Sequence, residues 1–216
     1  MFKKIYRNKK VLITGNTGFK GSWLSAWLIK LGANIIGVAK DIPTNPSIFE
    51  ELKLENQIKH YREDIRNLSK IFNIISHEKP EFIFHLAAQP LVLTSYKDPI
   101  ETISSNVMGT ANILESMKNL KNKCSAIIIT SDKAYDNIEQ LKGYKEDDKL
   151  GGKDIYSGSK GAAELIIKSY YHSFLKSNNS HLKIAIARAG NVIGGGDWAK
   201  DRIVVDCMKA WSESKT

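Results

Sequence analysis

The chain has 216 residues, of which 42% are hydrophobic and 25% charged, so it can form one sizeable core and wholesale disorder is excluded. Its net charge is +9, but only the first ten residues hold a dense basic cluster, and we therefore expect no nucleic-acid partner. Two cysteines are too few for a disulfide framework or a thiolate metal site, and no apolar run suits a signal peptide or a membrane span, so we expect a reducing, cytoplasmic setting and no metal.

Buried apolar runs alternate with helix-period stretches along the whole chain. This pattern predicts an α/β fold in which helices cover both faces of a parallel sheet. In chain order, the predicted strands span 11–14, 34–39, 60–62, 82–86, 126–130 and 182–187. The predicted helices span 22–31, 48–55, 68–77, 99–119 and 155–176, with a last helix that continues to residue 216. Trp23 and Trp27 lie on the apolar face of the first helix and are expected in the core.

A glycine-rich turn follows the first strand. Gly15, Gly18 and Gly21 have GxxGxxG spacing, so bare backbone can approach a pyrophosphate while the next helix offers its N-terminal N–H groups. Asp41 lies 20 residues after Gly21, about the separation expected for an acidic residue that binds the adenosine ribose. The turn therefore predicts a dinucleotide site that favours NAD, although the neighbouring Lys40 could equally meet the 2′-phosphate of NADP.

Tyr156 and Lys160 are four residues apart, which on a helix places them on one face, with the ammonium able to stabilise a phenolate. Tyr6 and Lys10 have the same spacing, so position distinguishes the two pairs. Tyr156 follows a long polar loop, 131–154, at the edge of the predicted sheet where ligands bind. A free tyrosine titrates near pKa ~10, so a base that works near neutrality needs a shift of about 3 units.

Ser131, Asp132 and Lys133 directly follow the strand predicted over 126–130, so their side chains are expected to face the same crevice. Ser131 can hydrogen-bond a substrate hydroxyl or the tyrosine. Asp132 and Lys133 form an acid–base couple, which suits a reaction that removes a carbon-bound proton and protonates a leaving hydroxyl. The alternative is a strand-end turn with solvated charges.

Several motifs together resemble the extended short-chain dehydrogenase/reductase family of Rossmann-fold, sugar-nucleotide enzymes: TGNTGFKG, HLAAQP, NVMGTANILE, TSDKAYDN and YSGSK. The stretches AKDIPTNPSIFE, TSDKAYDN and ARAGNVIGGGDWAKDRIVVD are similar to its CDP-glucose 4,6-dehydratase branch. The resemblance covers essentially the whole chain. It implies a doubly wound, NAD-binding Rossmann domain over 1–190. Residues 191–216 would form only the start of a small substrate-binding domain, so we expect a truncated product or a fragment.

The resemblance implies a lyase that converts CDP-glucose to CDP-4-dehydro-6-deoxyglucose with bound NAD, in nucleotide-sugar metabolism for surface polysaccharides. Tyr156 would take the proton of the sugar 4-hydroxyl as hydride moves from C4 to NAD, while Lys160 holds the cofactor ribose and lowers the pKa of Tyr156. Water would then leave across C5 and C6 with Asp132 as the acid, and Ser131 would orient the reacting hydroxyl. Related dehydratases have a Glu base where this chain has Lys133, so the role of Lys133 as base stays open.

The resemblance also implies binding residues. Contacts with the cofactor are expected from Gly15, Thr17, Gly18, Phe19, Gly21, Asp41, Asp64, Ile65, Ala87, Ala88, Tyr156 and Lys160. Contacts with the nucleotide sugar are expected from Gln89, Asn191 and Arg202. The alternative for Asp64 is a loop cap. His85 is expected to be a hydrogen-bonded strand-end residue, and Asn106 to support the backbone of the active site.

Family members pair through two long helices, so the resemblance implies a homodimer through the helices near 99–119 and 155–178. Two other functions stay open. The chain could be an epimerase or reductase that acts on another nucleotide sugar, or an NAD-binding fragment without catalysis.

Overall fold

The computed structural model describes residues 2–176 and 181–214. In this part of the chain, six parallel strands form one sheet in the order β3-β2-β1-β4-β5-β6. The strands are β1 (Lys10–Thr14), β2 (Asn34–Ala39), β3 (Lys59–Arg62), β4 (Phe82–His85), β5 (Cys124–Ser131) and β6 (Leu182–Ala189). The strand order reverses between β1 and β4, so a ligand crevice opens at their carboxyl ends. The predicted Rossmann-like, doubly wound sheet is confirmed.

Helices cover both faces of the sheet. They are α1 (Phe19–Lys30), α2 (Ile48–Glu51), α3 (Leu68–Glu78), α4 (Val92–Lys97), α5 (Pro99–Ile103), α6 (Gly109–Lys118), α7 (Ile155–Tyr170) and α8 (Ile203–Ser212). Alternation along β1 sends Leu12 into the core shared with α3, α6 and α7, and sends Val11 and Ile13 into the core shared with α1. No helix among the described residues is both long and apolar enough to cross a membrane.

The helix predicted over 99–119 is divided in the structure. Between α5 and α6 the chain forms a π-helical turn, Ser104–Met108. The turn carries Asn106, which is buried: its Oδ1 accepts from Gln89 N at 2.8 Å and its Nδ2 donates to Ser159 Oγ at 2.9 Å. A continuous apolar periodicity does not reveal such a turn, because the extra residue is placed by these polar contacts.

Other predicted elements differ at their ends. The helix predicted over 48–55 is α2 followed by the 3-10 turn Leu54–Asn56, and the one predicted over 155–176 is α7 followed by the π-helical turn Tyr171–Leu175. Helix α4 was not predicted. Helix α8 ends at Ser212, before the expected end at 216. Residues 177–178 of the predicted pairing helix, and residues 215–216, lie outside the described residues.

The prediction that Trp23 and Trp27 belong to the core is wrong. Their exposed fractions are 50% and 46%. Helix α1 instead turns Ser22, Ser25 and Leu28 towards the sheet, and the two small residues allow a close approach. Trp23 lies on the outside, where its Nε1 donates to Gly195 O at 2.9 Å.

Candidate active site

The glycine turn joins β1 to α1 and is closed too tightly for side chains. Gly15 has a φ of +70°, and a Cβ atom on Gly21 would lie 2.1 Å from the carbonyl oxygen of Gly15. Gly18 precedes α1, whose first turn has no side-chain cap and no acidic residue. The free N–H groups and the positive end of the helix dipole favour an anion here. This backbone cradle fits the pyrophosphate of a dinucleotide.

Two neighbouring strand ends meet the glycine turn. Thr17 is buried, and its Oγ1 donates to the carbonyl oxygen of Asp41 at 2.7 Å, which ties the turn to the end of β2. The side chain of Asp41 is exposed. On the β4 side, a Cβ atom on Gly15 would lie 2.8 Å from Ala87 N, so Ala87 borders the turn and the half-buried Ala88 follows it. The structure thus brings these predicted cofactor residues together, with Phe19 as the first residue of α1.

Asp64 and Ile65 follow β3 and have their own protein partners. The Asp64 carboxylate accepts from Arg66 Nη2 at 2.6 Å and from Arg66 Nε at 3.0 Å, and these bonds lower the pKa of Asp64. Ile65 is buried beneath Gly109, and its carbonyl accepts from Asn112 Nδ2 at 2.9 Å. Any contact between Asp64 and an adenine therefore takes place beside the Arg66 guanidinium.

Tyr156 and Lys160 lie in the first turns of α7, on one face. Asp154 caps this helix by accepting from Ser157 N at 3.0 Å. Both side chains of the pair are buried, with exposed fractions of 8% and 7%, and the Lys160 Nζ lies 5.8 Å from the centroid of the Tyr156 ring. The helix thus places a phenol and an ammonium at the carboxyl edge of the sheet.

The pKa of Tyr156 is raised in this arrangement, chiefly by burial. The nearby Ser131 hydroxyl and the positive charge of Arg202 lower the pKa, and the carboxylate of Asp132 raises it. Arg202 is a cation whose charge lowers the pKa of Tyr156 here, and the same effect of Lys160 stays a prediction. The phenol is consequently protonated at neutral pH until a ligand changes its surroundings.

The Ser131 turn holds a carboxylate beside the tyrosine. The Ser131 Oγ donates to Asp132 Oδ1 at 2.9 Å and accepts from Lys133 N at 3.2 Å. The side chains of Asp132 and Lys133 are exposed, so both can reach a substrate in the crevice. The structure therefore brings Ser131, Asp132 and Tyr156 into one group, with Lys133 next to it.

The three predicted substrate residues differ in their surroundings. The Gln89 amide has partners in its own loop and on α5: Nε2 donates to Leu91 O at 3.0 Å and to Thr102 Oγ1 at 2.8 Å, and Oε1 accepts from Leu91 N at 2.7 Å. A substrate contact by Gln89 would have to replace these bonds. Asn191 is exposed after β6. Arg202 precedes α8, and its Nε is buried without a hydrogen-bond partner among the described residues, which suits an anionic ligand.

Lys20 is a site residue that the sequence analysis did not assign. It is the second residue of α1, between Gly18 and Gly21, and its charge acts on Lys160, whose pKa is lowered to about 8 by burial and by Lys20. The pKa of Lys20 itself is lowered by partial burial and by Arg202, and Asp197 raises it. Three cations therefore surround this crevice and attract anions. Lys20 could have been assigned to the site from the sequence, because it is the lysine of the TGNTGFKG motif.

Comparisons with known proteins agree with this geometry. A family model described as GDP-mannose 4,6 dehydratase matches residues 12–182. The chain is 48% identical over 216 residues to the CDP-glucose 4,6-dehydratase of Salmonella typhimurium, which covers 99% of this chain and 60% of that protein. It is 34% identical over 199 residues to the dTDP-D-glucose 4,6-dehydratase of Dictyostelium discoideum, which covers 86% of this chain and 44% of that protein. The chain thus spans less than two thirds of the length of these relatives.

A solved structure has the same architecture as this chain and is also similar to it in sequence. It is the UDP-glucuronic acid 4-epimerase of Bacillus cereus in complex with UDP-glucuronic acid and NAD, which superposes with a TM-score of 0.81 at 28% identity. The match covers 95% of this chain and 64% of that one.

Proposed function

Because the chain belongs to the GDP-mannose 4,6 dehydratase family, within the extended short-chain dehydrogenases/reductases, we propose that it carries the cofactor site and catalytic residues of a CDP-glucose 4,6-dehydratase. The proposed lyase converts CDP-glucose to CDP-4-dehydro-6-deoxyglucose and water. The observation that carries this proposal is the Asp132 carboxyl group, which Ser131 holds beside Tyr156. The relative that is 48% identical bears the same activity in its name.

A carboxyl group at this position favours a dehydratase over an epimerase. Oxidation and reduction of one sugar hydroxyl need a single residue that exchanges the hydroxyl proton, whereas loss of water also needs an acid for the departing oxygen. The nearness of Asp132 to Tyr156 and its exposure to the crevice support this second role, which the neutral form of its carboxyl group would perform. The epimerase therefore stays the second candidate.

The cofactor of the proposed reaction is NAD. Gly15, Gly18 and Gly21 would hold its pyrophosphate, Asp41 its adenosine ribose and Lys160 its second ribose. When bound, NAD supplies a reversible hydride acceptor for the sugar. The chain's own residues supply the remaining chemistry.

The chain's residues bind and orient the nucleotide sugar and transfer protons to and from it. Once a bound ligand has changed its surroundings so that Tyr156 is a phenolate, Tyr156 takes the proton from the sugar 4-hydroxyl, and Ser131 orients that hydroxyl. Asp132, in its neutral, protonated form, donates its proton to the oxygen that leaves from C6 and becomes a carboxylate. The exposed Lys133 is next to Asp132 and is our candidate base for the proton on C5. Arg202 and Asn191 would bind the diphosphate of the nucleotide sugar.

The division into two domains is also a proposal. Strand β6 ends at Ala189, and the elements before it share two cores. Helix α8, by contrast, has no buried residue among those described. This contrast supports a cofactor domain over 1–190 and a separate substrate-binding region that starts at 191.

A reducing, cytoplasmic setting is supported by the cysteines. Cys124 and Cys207 are both free thiols in the described structure. Cys124 lies in the core, and burial raises the pKa of its thiol to about 12, so it is protonated and unreactive.

The proposed activity is tested by incubating the protein with CDP-glucose and NAD. We expect the base-dependent absorbance of a 4-keto-6-deoxy sugar. The Asp132→Asn variant should form this product at least about 100-fold more slowly, because general acid catalysis contributes about 10²- to 10⁴-fold. Asp147→Asn is the matched control, because Asp147 is an exposed residue of the same loop.

Three outcomes would change the proposal. Equal rates for Asp132→Asn and the wild type would remove Asp132 as the acid. Turnover of UDP-glucose to a 4-epimer, without a 4-keto-6-deoxy product, would favour the epimerase. Calorimetry that detects binding of NAD but not of CDP-glucose would limit this chain to cofactor binding.

A further inference from the structure

Four charged residues form a cluster beside the proposed adenosine site. They are Lys40 after β2, Asp64 and Arg66 after β3, and Glu101 in the first turn of α5. We infer that Glu101 determines specificity for NAD over NADP. It forms ion pairs with Lys40 and Arg66, the two cations that could otherwise bind the 2′-phosphate of NADP. This inference rests on the proposed cofactor function.

Glu101 bridges two basic residues from neighbouring strand ends. Its Oε1 accepts from Lys40 Nζ at 3.2 Å, and its Oε2 accepts from Arg66 Nη1. Ser105 Oγ donates to Oε1 at 3.2 Å, and Asp98 caps the helix by accepting from Glu101 N at 2.9 Å. The Glu101 side chain is only 25% exposed, so these contacts fix it in place. A carboxylate in the first turn of a helix also agrees with the helix dipole.

Lys40 and Arg66 lie near the expected binding site of the adenosine ribose, so their pairing with Glu101 affects which cofactor can bind. Lys40 is adjacent to Asp41, whose carbonyl is tied to the glycine turn by Thr17. In folds of this type the acidic residue binds the ribose 2′-hydroxyl of NAD, and a nearby basic residue accommodates the 2′-phosphate of NADP. Lys40 and Arg66 follow two adjacent strands of the sheet, and Glu101 contacts both, so both belong to this neighbourhood.

The charge sum of the cluster explains the selectivity. Lys40 and Arg66 contribute two positive charges, while Asp64 and Glu101 contribute two negative charges, which leaves no net charge. With Asp41 the region is negative, so it repels a phosphate monoester that carries about −1.5 to −2 charges at pH 7. Neutralising Glu101 alone releases the Lys40 ammonium and one arm of Arg66.

Arg62 is a further cation of β3, but it is not positioned to bind a 2′-phosphate in place of Lys40 and Arg66. It lies two residues after His60 on β3, and alternation along a strand places both side chains on one face of the sheet. His60 contacts Phe49 of α2, with ring centroids 5.4 Å apart. Glu101 belongs to the segment that leads into α6, which packs on the opposite core with Leu12.

The test measures dissociation constants for NAD and NADP by calorimetry on the 216-residue protein. The wild type should bind NAD more tightly than NADP. Glu101→Gln should bind NADP about tenfold more tightly than the wild type does, the size of one charge-assisted hydrogen bond, and NAD within about twofold. Adding Lys40→Met to Glu101→Gln should remove most of the gain in NADP affinity.

Glu81→Gln is the matched control. Glu81 also pairs with a lysine, Lys9, at 2.6 Å, but at the amino end of the sheet, so the substitution changes net charge equally without touching the cluster. We expect it to leave the NADP affinity unchanged.

The outcomes separate this inference from the proposed cofactor function. Unchanged NADP affinity in Glu101→Gln, with NAD binding intact, overturns the inference alone. An equal gain in Glu81→Gln also overturns it, because the effect would then follow net charge. A wild type that binds neither nucleotide overturns the cofactor function and, with it, this inference.

Discussion

His85 ends β4 and connects three elements through one directed chain of hydrogen bonds. Thr110 Oγ1 donates to Asn106 O at 2.7 Å, so it accepts from His85 Nε2 at 3.1 Å. Thr14 Oγ1 accepts from Ala87 N at 3.2 Å and donates to His85 Nδ1 at 2.7 Å. The imidazole is therefore neutral, with its proton on Nε2, and it positions Ala87 beside the glycine turn.

Stability should depend on pH through His85. Burial and the charge of Lys160 lower its pKa to about 3, whereas an unfolded histidine titrates at about 6.5. Between these values the unfolded chain binds a proton that the folded chain does not, so stability falls as the pH falls below about 6.5. One such group contributes about 1.4 kcal/mol per pH unit between about pH 6 and pH 4.

Urea denaturation of the wild type and His85→Gln at several pH values in this range measures the effect. In His85→Gln the free energy of unfolding should fall less steeply as the pH is lowered, because the contribution of His85 is lost. We also expect the variant to be less stable than the wild type at neutral pH. The exposed His172 provides the control, because His172→Gln should keep the slope of the wild type. Identical slopes in His85→Gln and the wild type would contradict the assigned protonation state.

Residues of the candidate site could be predicted where one short segment carries the signal. The glycine turn, the Tyr156 and Lys160 pair and the Ser131 turn are of this kind. Contacts between distant segments could not be predicted. Lys40 and Glu101 are 61 residues apart, and only the tertiary fold brings them together.

At the scale of elements, the long loop after β5 is fastened to α7. Arg188 of β6 forms a bidentate pair with the buried Glu164, at 2.8 and 2.6 Å, and lies 4.4 Å from the centroid of the Tyr135 ring. The loop also donates from Gly151 N to Ala134 O at 3.0 Å. These contacts fix the loop that begins with Asp132 against the helix that carries Tyr156.

Two glycines of α7 should respond in opposite directions to substitution by alanine. A Cβ atom on Gly161 would lie 2.9 Å from Gly151 O, so Gly161→Ala should push the loop away and lower the free energy of unfolding by about 1 to 3 kcal/mol. A Cβ atom on Gly158 would meet nothing within 4 Å. Gly158→Ala should therefore raise the free energy of unfolding by about 0.5 to 1 kcal/mol, because alanine has a higher helix propensity than glycine.

Each of these variants serves as the control of the other, because both make the same change in the same helix. The measurement is urea denaturation at neutral pH. Equal destabilisation by both substitutions would show that the loop does not press on Gly161.

The elements themselves were largely predictable. The six strands of the described residues were predicted, most of them as apolar runs that glycine, proline or polar residues delimit, whereas β3, Lys59–Arg62, is short and has no buried residue. The division of the helix predicted over 99–119 was missed, because it depends on the contacts of Asn106 with other segments. The exposure of Trp23 and Trp27 was missed for a related reason: periodicity marks an apolar face without showing which side of the helix meets the sheet.

At the scale of the whole molecule, apolar side chains remain uncovered on the helices that we expect to pair. Within the expected ranges the exposed fractions are 73% for Ile100 on α5 and 56% for Leu165 on α7, and the preceding α4, outside those ranges, exposes 65% of Tyr96. Helix α7 contacts both α4 and α5. Exposed apolar residues on adjoining helices mark an interaction surface, and we propose that two copies of the chain cover it by forming a symmetric dimer.

Leu165→Glu tests this proposal by sedimentation at micromolar concentration. In a symmetric dimer every substitution occurs twice, and burial of one leucine contributes about 1.5 to 3 kcal/mol, so the dimer should weaken by about 100-fold or more. Leu141→Glu makes the same change at a fully exposed loop residue and should sediment as the wild-type dimer. A wild type that sediments as a monomer, or a Leu165→Glu variant that remains dimeric, would contradict pairing through α7, because neither result is compatible with a buried Leu165.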